Sequence, residues 1–208
     1  MKAFIITPFL TEEIKKIVTI QEDDLVICAD VAYLAAKKEN ISPNLIIGDF
    51  DHGKNDAPAK TSAAFVRVPS EKDDTDTMLC VKCALTKGAD EIVIVGGIGG
   101  RLDHTFANLQ TLAYIEKEGA HGRVISEDNE AFLVCDEAHI EKRDGWYLSV
   151  FAYDGVCEGV TIQGAKYEVA DVSLSTDFPL GVSNEITADS AIVSVKNGTL
   201  LVILSKKD

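Results

Sequence analysis

The spacing of apolar residues changes character along this chain. Up to about residue 126, compact runs of Val, Ile and Leu alternate with longer segments in which apolar residues recur at helical spacing. The runs predict the strands AFIIT, LVICA, NLIIG, AFVRV, EIVIV and GRVIS, and the longer segments predict the helices TEEIKKIVT, VAYLAAKKE, DTDTMLCVKCALTKG and RLDHTFANLQTLAYIEKEG. Strands that are apolar throughout are typically buried on both faces. This part therefore predicts a Rossmann-like α/β domain, a parallel sheet with helices on both faces.

Beyond about residue 130 the helical spacing disappears. Short β-type runs follow one another, separated by Gly, Asp and Asn: AFLVC, HIEK, WYLSVFAY, GVTIQG, YEVADVSL, ITADSAIVSV and TLLVILS. Several strands at such intervals are typical of an antiparallel β-sandwich. We therefore predict two domains, an α/β domain at residues 1–128 and an all-β domain at residues 129–208.

Charged and glycine-rich segments follow four successive predicted strands of the α/β part. They are Asp30 after LVICA, Asp49 and Asp51 after NLIIG, Asp73, Asp74 and Asp76 after FVRVP, and the segment GGIGGRLDH (residues 96–104) after EIVIV. The carboxyl ends of parallel strands share one edge of a sheet, and ligands bind in the crevice there. Turn chemistry alone explains any one acid but requires no such co-location. If NLIIGDFD stays extended, Asp49 and Asp51 point to the same face.

Each of these groups also has a purely structural interpretation. Asp73 or Asp74 would cap the following helix, where a carboxylate satisfies free amides. Asp73 and Asp76 lie three positions apart and would share one helix face, which favours ligand contact for Asp76 above the others. Asp103 would be a helix-dipole partner and His104 a surface residue, or both would touch a ribose, a base or a metal-bound water.

The glycine loop has the chemistry of a phosphate site without matching a standard motif. It lacks the spacing of G-x-G-x-x-G and the lysine of a Walker A loop. Glycines nevertheless permit close backbone approach, and the start of the next helix offers free amides to an anion. Arg101 adds a cation whose fork suits phosphate oxygens. The alternative is a tight packing turn. The candidate phosphate contacts are Gly97, Gly99, Gly100 and Arg101.

Charge decides how these groups work together. The formal net charge is −14, from 34 acidic residues against 20 Lys and Arg, which argues against a nucleic-acid surface. An acidic cluster beside a phosphate cradle requires a divalent cation, and Mg²⁺ is held by one or two carboxylates plus substrate phosphates. The residues alone thus predict a Mg²⁺-nucleotide enzyme that transfers a phosphorus group.

The remaining sequence features concern cellular context. No apolar run approaches the length of a membrane span, and the start of the chain has no signal-peptide pattern. The five cysteines are an odd number, which with no secretory signal predicts reduced thiols in the cytoplasm. We therefore expect neither a membrane nor a nucleic-acid partner.

Taken together, these segments resemble thiamine pyrophosphokinases. The matching pieces, in the family's order, are CAD (28–30), PNLIIGDFD (43–51), DDTD (73–76), GGIGGRLDH (96–104), GAKY (164–167) and GVSNE (181–185). The resemblance implies transfer of the terminal pyrophosphate of the co-substrate ATP to the hydroxyl of thiamine, with release of AMP. It also implies a homodimer in which each active site takes the catalytic domain of one chain and the sandwich of its partner.

The resemblance also implies roles for individual residues. Asp49, Asp51 and Asp76 match the magnesium and phosphate centre, with Asp30 and Asp73 nearby, and the loop from Gly97 to Arg101 with Asp103 and His104 matches the nucleotide side. Ser183 and Asn184 match the thiamine-binding stretch, where the alternative is a plain β-turn.

Two positions depart from the family pattern, and two other functions stay open. Val31-Ala32 replace a usual Gly-Gly, and His52 replaces a usual Ser. A pyrophosphokinase for another hydroxymethyl heterocycle, such as a pterin, is one alternative. A Mg²⁺-nucleotide sensor without turnover is the other, although keeping Asp49, Asp51, Asp76 and Arg101 together favours an enzyme. The base that accepts the hydroxyl proton is not determined.

Overall fold

The computed structural model describes residues 1–50, 63–69, 71 and 73–207. The chain divides into two compact units, residues 1–127 and residues 128–208. The first unit contains β1 (Lys2–Ile6), α1 (Ile14–Ile17), β2 (Leu25–Ala29), a 3₁₀ helix (Asp30–Ala32), α2 (Tyr33–Lys38), β3 (Leu45–Gly48), β4 (Ala64–Arg67), α3 (Asp76–Thr86), β5 (Glu91–Val95), α4 (Leu102–Lys117) and β6 (His121–Ile125). Among the described helices, none is long and apolar enough to cross a membrane.

The six strands of the first unit form a parallel sheet in the order β6-β5-β1-β2-β3-β4. From β1 the chain builds outward through β2, β3 and β4, and then returns to the other side of β1 to form β5 and β6. The strand order therefore reverses between β1 and β5. Such a switch point opens a crevice at the carboxyl ends of the two strands.

Helices cover this sheet and account for its apolar strands. α1 and α2 contribute Ile14, Tyr33 and Ala36 to a cluster with alternate strand residues such as Phe4 and Val26. The intervening strand residues are buried too, and α3 and α4 contact each other and pack against the sheet. The predicted parallel α/β fold is confirmed. The edge strand β4 differs from the other strands, because all four of its residues are exposed.

α1 is shorter than the predicted segment TEEIKKIVT. It covers only Ile14–Ile17, and Val18 after it is extended, with φ −138° and ψ 155°. The next residues include the β-branched Thr19 and Ile20, whose side chains are restricted against a preceding helical turn. The prediction of the full segment as a helix was wrong.

The second unit consists of two antiparallel sheets. Its strands are β7 (Asn129–Val134), β8 (Glu137–Glu141), β9 (Trp146–Ala152), β10 (Val156–Gln163), β11 (Val169–Ser175), β12 (Gly181–Asn184), β13 (Ser190–Ser194) and β14 (Leu200–Lys206). One sheet runs β12-β9-β14-β7 and the other β11-β10-β13-β8. Residues of both sheets, such as Leu148, Val202, Val160 and Val193, form one core. The predicted antiparallel sandwich is confirmed.

A buried charge lies at the edge of this unit. The side chain of Glu130 on β7 is 2% exposed, and its Oε2 accepts a hydrogen bond of 2.5 Å from Nη2 of Arg143. The Arg143 guanidinium also lies 5.3 Å from the centre of the Trp146 ring. The turn between β8 and β9 is thus tied to β7 by a charged pair.

Candidate active site

The ends of β2 and β3 bring Asp30 next to the first residues of the GDFD segment. Asp30 is buried and adopts a left-handed backbone conformation with φ 45°. A Cβ added to Gly48 would lie 2.7 Å from the Asp30 Cα and 3.0 Å from its Oδ1, so only glycine fits beside this aspartate. Asp49 follows directly and is half-buried. Asp30 and Asp49 therefore occupy adjacent strand ends, as the pattern predicts.

The condition under which Asp49 and Asp51 would share a face is not met, because the chain does not stay extended after Gly48. β3 ends at Gly48, and Phe50 has a φ of 53°. Its ring packs on Phe65 of β4, with centroids 4.6 Å apart, which ties the turn to the edge strand. Asp51 and His52 lie outside the described residues.

The acids of the DDTD segment separate into different environments. Thr75 is the N-cap of α3, because its hydroxyl accepts a hydrogen bond of 3.1 Å from the Met78 N–H. Asp73 and Asp74 therefore do not cap the helix, and Asp73 does not share a helix face with Asp76, since α3 begins at Asp76. That part of the prediction is corrected.

Asp74 forms an ion pair with Lys82 of α3. Both of its carboxylate oxygens accept hydrogen bonds from the Lys82 ammonium, at 2.9 and 2.7 Å, two turns along α3. The pair raises the pKa of Lys82, chiefly through the hydrogen bond. Asp76 is half-buried in the first turn of α3, and Asp73 is exposed.

The glycine loop lies at the switch point, between the ends of β1 and β5. Its four glycines, Gly96, Gly97, Gly99 and Gly100, all have positive φ. Phe9, in the segment after β1, lies against the loop: its carbonyl accepts the Gly97 N–H at 2.9 Å. A Cβ added to Gly100 would lie 2.6 Å from its ring. The sequence prediction missed Phe9, because its segment carries no charge and no recognised motif.

The protein itself already uses several backbone amides of the loop. The N–H groups of Gly96 and Gly97 bind the carbonyls of Ile125 and Phe9, and the Gly99 N–H binds the Thr105 hydroxyl at 3.0 Å. Among the described residues, no acceptor is bound by the N–H groups of Ile98, Gly100 and Arg101. Those three amides, next to the start of α4, are the ones that an anion would meet.

Arg101 and Asp103 bind each other at the end of this loop. Nε and Nη2 of Arg101 donate to the Asp103 carboxylate at 3.2 and 2.6 Å, and both side chains are mostly exposed. The hydrogen bond from Arg101 lowers the pKa of Asp103, and Asp103 raises that of Arg101. Exposed pairs contribute little stability. The side chain of His104 is exposed as well. An arriving phosphate would therefore compete with Asp103 for the arginine at little cost.

In the second unit most of the GVSNE stretch is a strand and not a plain β-turn. Gly181–Asn184 is β12, the edge strand beside β9, with a register shift between Gly181 and Asn184. Ser183 is exposed in this bulge and has a φ of 58°, while its N–H binds the Ser149 hydroxyl at 3.1 Å. Bulges and left-handed non-glycine residues cluster at functional sites, where they redirect a side chain.

Asn184 is oriented inward, toward the chain. It is buried, its Oδ1 accepts the Tyr167 N–H at 3.0 Å, and its Nδ2 donates to the Tyr167 carbonyl at 2.8 Å. Tyr167 itself is 61% exposed. Because the amide of Asn184 is occupied, we interpret it as a support for Tyr167, and Tyr167 becomes a candidate contact that the residue pattern did not single out.

A charged group flanks this strand. Glu185 accepts hydrogen bonds from Lys207 at 2.6 Å and Lys166 at 3.5 Å, and the bond from Lys207 is the main cause of its lowered pKa. Lys207 and Lys166 lie 5.0 and 5.5 Å over the rings of Tyr147 and Tyr167. Glu185 thus stays ionised and fixes both lysines beside β12.

A surface cavity of about 590 Å³ lies away from all these groups. It is lined by residues such as Asp24 and Asn44, just before β2 and β3. Those are the amino-terminal ends of the strands, opposite the acids. We place the candidate site at the carboxyl edge, because the charged groups and the switch point coincide there.

Two family models match the chain, one in each part. The thiamin pyrophosphokinase catalytic domain matches residues 18–122, and the thiamin pyrophosphokinase vitamin B1 binding domain matches residues 137–200. A thiamine pyrophosphokinase of Bacillus subtilis is 30% identical over 189 residues, which cover 88% of each chain. Thiamin pyrophosphokinase 1 of Caenorhabditis elegans is 24% identical over 77% of this chain and 70% of its own.

Solved structures show the same architecture. The crystal structure of thiamine pyrophosphokinase from Bacillus subtilis superposes over the whole of both chains with a TM-score of 0.89 and 25% identity. Thiamin pyrophosphokinase from Candida albicans has a TM-score of 0.79 over 99% of this chain and 89% of its own, at 14% identity, which indicates the fold alone.

Proposed function

The chain belongs to the thiamin pyrophosphokinase family, and we propose that its active site is built on the carboxyl edge of the first unit. The enzyme transfers the pyrophosphoryl group of ATP to thiamine and makes thiamine diphosphate. The observation that carries this conclusion is the match of the catalytic and vitamin B1 binding models to the two parts of one chain.

The proposed residues divide into an acidic side and a nucleotide side. Asp49 and Asp76, with Asp51, form the acidic side, and Asp30 and Asp73 lie next to it. The nucleotide side consists of the glycine loop (residues 96–100), Arg101, Asp103 and His104. What supports this division is the geometry of the first unit, where the acids follow β2, β3 and β4 and the loop follows β5 at the switch point.

Mg²⁺ is the cofactor that fits the donor set. Within the described residues, no three His, Cys, Asp or Glu side chains come together as a complete metal site. Mg²⁺ needs fewer protein ligands, because it binds one or two carboxylates and takes its other ligands from phosphates and water. Asp49 and Asp76 would supply those carboxylates, with Asp51. When bound, the ion neutralises phosphate charge during the transfer.

The remaining chemistry can be assigned to the chain's own groups. The thiamine hydroxyl attacks the β-phosphorus of ATP, a new P–O bond forms, and the bond between that phosphorus and the α,β-bridging oxygen breaks. AMP leaves with the electron pair, and the hydroxyl proton passes to a basic group. Arg101 and the amides of Ile98 and Gly100 would orient the phosphates, because positioning and fixed charge supply most of the rate enhancement. The excess of acids suits the cationic thiazolium.

A direct assay tests this function. The purified protein is mixed with Mg²⁺, ATP and thiamine, and AMP and thiamine diphosphate are measured together. Equal amounts of both are expected. If AMP appears only with a pterin alcohol, the enzyme is a pyrophosphokinase for another heterocycle. If the protein binds Mg²⁺-ATP and forms no AMP with either alcohol, it is a sensor.

We further propose a homodimer with two shared active sites, in which Ser183 and Tyr167 of one chain hold thiamine for the other. The exposed apolar side chains of Phe178, Leu180 and Val182 beside and on the edge strand support an interface there. Mixing inactive Asp76→Asn chains with inactive Asn184→Ala chains is expected to restore activity. A mixed dimer has one intact site, so it should reach about half of the wild-type rate. Subunit exchange without recovered activity would show that each chain serves its own site.

We propose a cytoplasmic location for the enzyme. All five cysteines are free thiols, and burial raises the pKa of Cys28 to about 12, so this thiol stays protonated and unreactive. Free thiols suit a reducing compartment. Neither a nucleic-acid nor a membrane partner is proposed, because the strong excess of acids repels both polyanionic surfaces.

A further inference from the structure

One face of α4 binds the glycine loop. Thr105 and Asn108 are three residues apart on the helix and therefore lie on the same face. The Thr105 hydroxyl accepts the Gly99 N–H at 3.0 Å, and Nδ2 of Asn108 donates to the Gly97 carbonyl at 2.9 Å. Neither residue belongs to the charged or glycine motifs of the loop itself.

The Asn108 contact is buried and closely fitted. Asn108 is 6% exposed. A Cβ added to Gly97 would lie 2.3 Å from Nδ2 of Asn108, so the amide occupies the space that a side chain would need. The Gly97 N–H is bound in turn by the Phe9 carbonyl. Both backbone groups of Gly97 are thus turned into the protein.

This arrangement matters because the loop has little stiffness of its own. Gly96, Gly97, Gly99 and Gly100 have positive φ, and glycine populates positive and negative φ about equally. A loop of such residues holds one conformation only if other groups bind its peptide units. A released Gly97 carbonyl would present a partial negative charge next to the anion site, and the amides of Ile98 and Gly100 would lose their fixed direction.

We propose that Asn108 is a positioning residue for ATP. It does not contact the nucleotide; it turns the Gly97 carbonyl inward and thereby directs the free amides of the loop toward the phosphates. The inference rests on the proposed nucleotide side of the site. It predicts that removing the Asn108 amide weakens nucleotide binding and leaves the thiamine side unchanged.

The test compares two variants of Asn108 with a matched control. Asn108→Ala removes the donor, and Asn108→Asp keeps the shape but, at alkaline pH, puts a carboxylate against the carbonyl. In the control, Asn44→Asp, the substituted side chain uses only its acceptor: Oδ1 binds the Val26 N–H at 2.7 Å, and aspartate can do the same. AMP affinity is measured by calorimetry, and the KM values for ATP and thiamine by AMP formation.

At alkaline pH, both Asn108 variants are expected to bind AMP at least about tenfold more weakly, the scale of one lost buried hydrogen bond of about 1.4 kcal/mol. The KM for ATP should rise by a similar factor, while the KM for thiamine stays within about twofold of the wild-type value. For Asn44→Asp, the AMP affinity and both KM values should stay within about twofold of the wild-type values. If the Asn108→Ala variant does not fold, the isosteric Asn108→Asp variant provides the test. Unchanged AMP affinity in a folded variant, or an equal rise of both KM values, would overturn the inference. A wild-type protein that forms no AMP would instead overturn the proposed function.

Discussion

Replacing Asp76 by asparagine is expected to lower turnover at least about a hundredfold, the effect of losing one charged group that acts on the transferring phosphate. Asparagine keeps the shape of the side chain and removes its charge, so the metal and phosphate centre loses a carboxylate. The fold should survive, because Asp76 is half-buried in the first turn of α3 and such an acid stabilises a helix by only about 0.3–1 kcal/mol. AMP formation and the melting temperature are measured on the same preparation.

Asp74→Asn is the matched control for this experiment. Asp74 lies two residues away and carries the same charge, but its carboxylate is bound to Lys82. Its loss should change turnover by less than about threefold, because its carboxylate is bound to Lys82 and is not part of the proposed metal centre. Chelation by EDTA should stop the wild-type enzyme, and added Mg²⁺ should restore it. Equal losses of turnover in the Asp74 and Asp76 variants would mean that turnover depends on the total charge of the DDTD segment and not on one metal carboxylate.

Replacing Arg143 by methionine is expected to destabilise the second unit by about 2–4 kcal/mol, because the buried Glu130 carboxylate loses a charged hydrogen-bond donor. The affected charge is Glu130, whose side chain is 2% exposed and 2.5 Å from the guanidinium. Trp146, the one tryptophan of the chain, lies beneath Arg143, so its fluorescence reports unfolding in denaturant.

Two further variants make the result specific to the pair of Glu130 and Arg143. Lys142→Met removes the neighbouring exposed pair with Asp144, 3.3 Å apart, and should cost less than about 0.5 kcal/mol. Adding Glu130→Gln to Arg143→Met removes the buried carboxylate charge and should recover part of the lost stability. If Lys142→Met and Arg143→Met cost the same, Glu130 is stabilised by other groups and the pair contributes little.

The sequence predicted those elements of the fold whose pattern of apolar residues was clear. The apolar runs of β1, β2, β3 and β5 predict buried parallel strands, because a strand covered on both faces needs no polar side. The α4 segment was long and periodic enough to predict nearly to its ends. The prediction for α1 was too long, because β-branched residues follow the four residues that form the helix. β12 was not predicted as a strand, because its short sequence forms one only through its pairing with β9.

The sequence by itself determined which residue types gather after the strands, since parallel strands send their carboxyl ends to one edge whatever their order. It also carried the family resemblance, and with it the reaction. It favoured Asp76 over Asp74, but it did not give the partner of Asp74, because the contact with Lys82 forms only once α3 exists.

Only the tertiary structure decided the order of the strands, the switch point beside Phe9, and the support of the glycine loop by Asn108 and of Tyr167 by Asn184. These are hydrogen bonds and contacts between different segments of the chain: Gly97 and Asn108 are 11 positions apart, and Tyr167 and Asn184 are 17 positions apart. An amide side chain has the same local preferences whether it faces a ligand or a backbone carbonyl. Which of the two it binds depends on what the rest of the chain brings beside it.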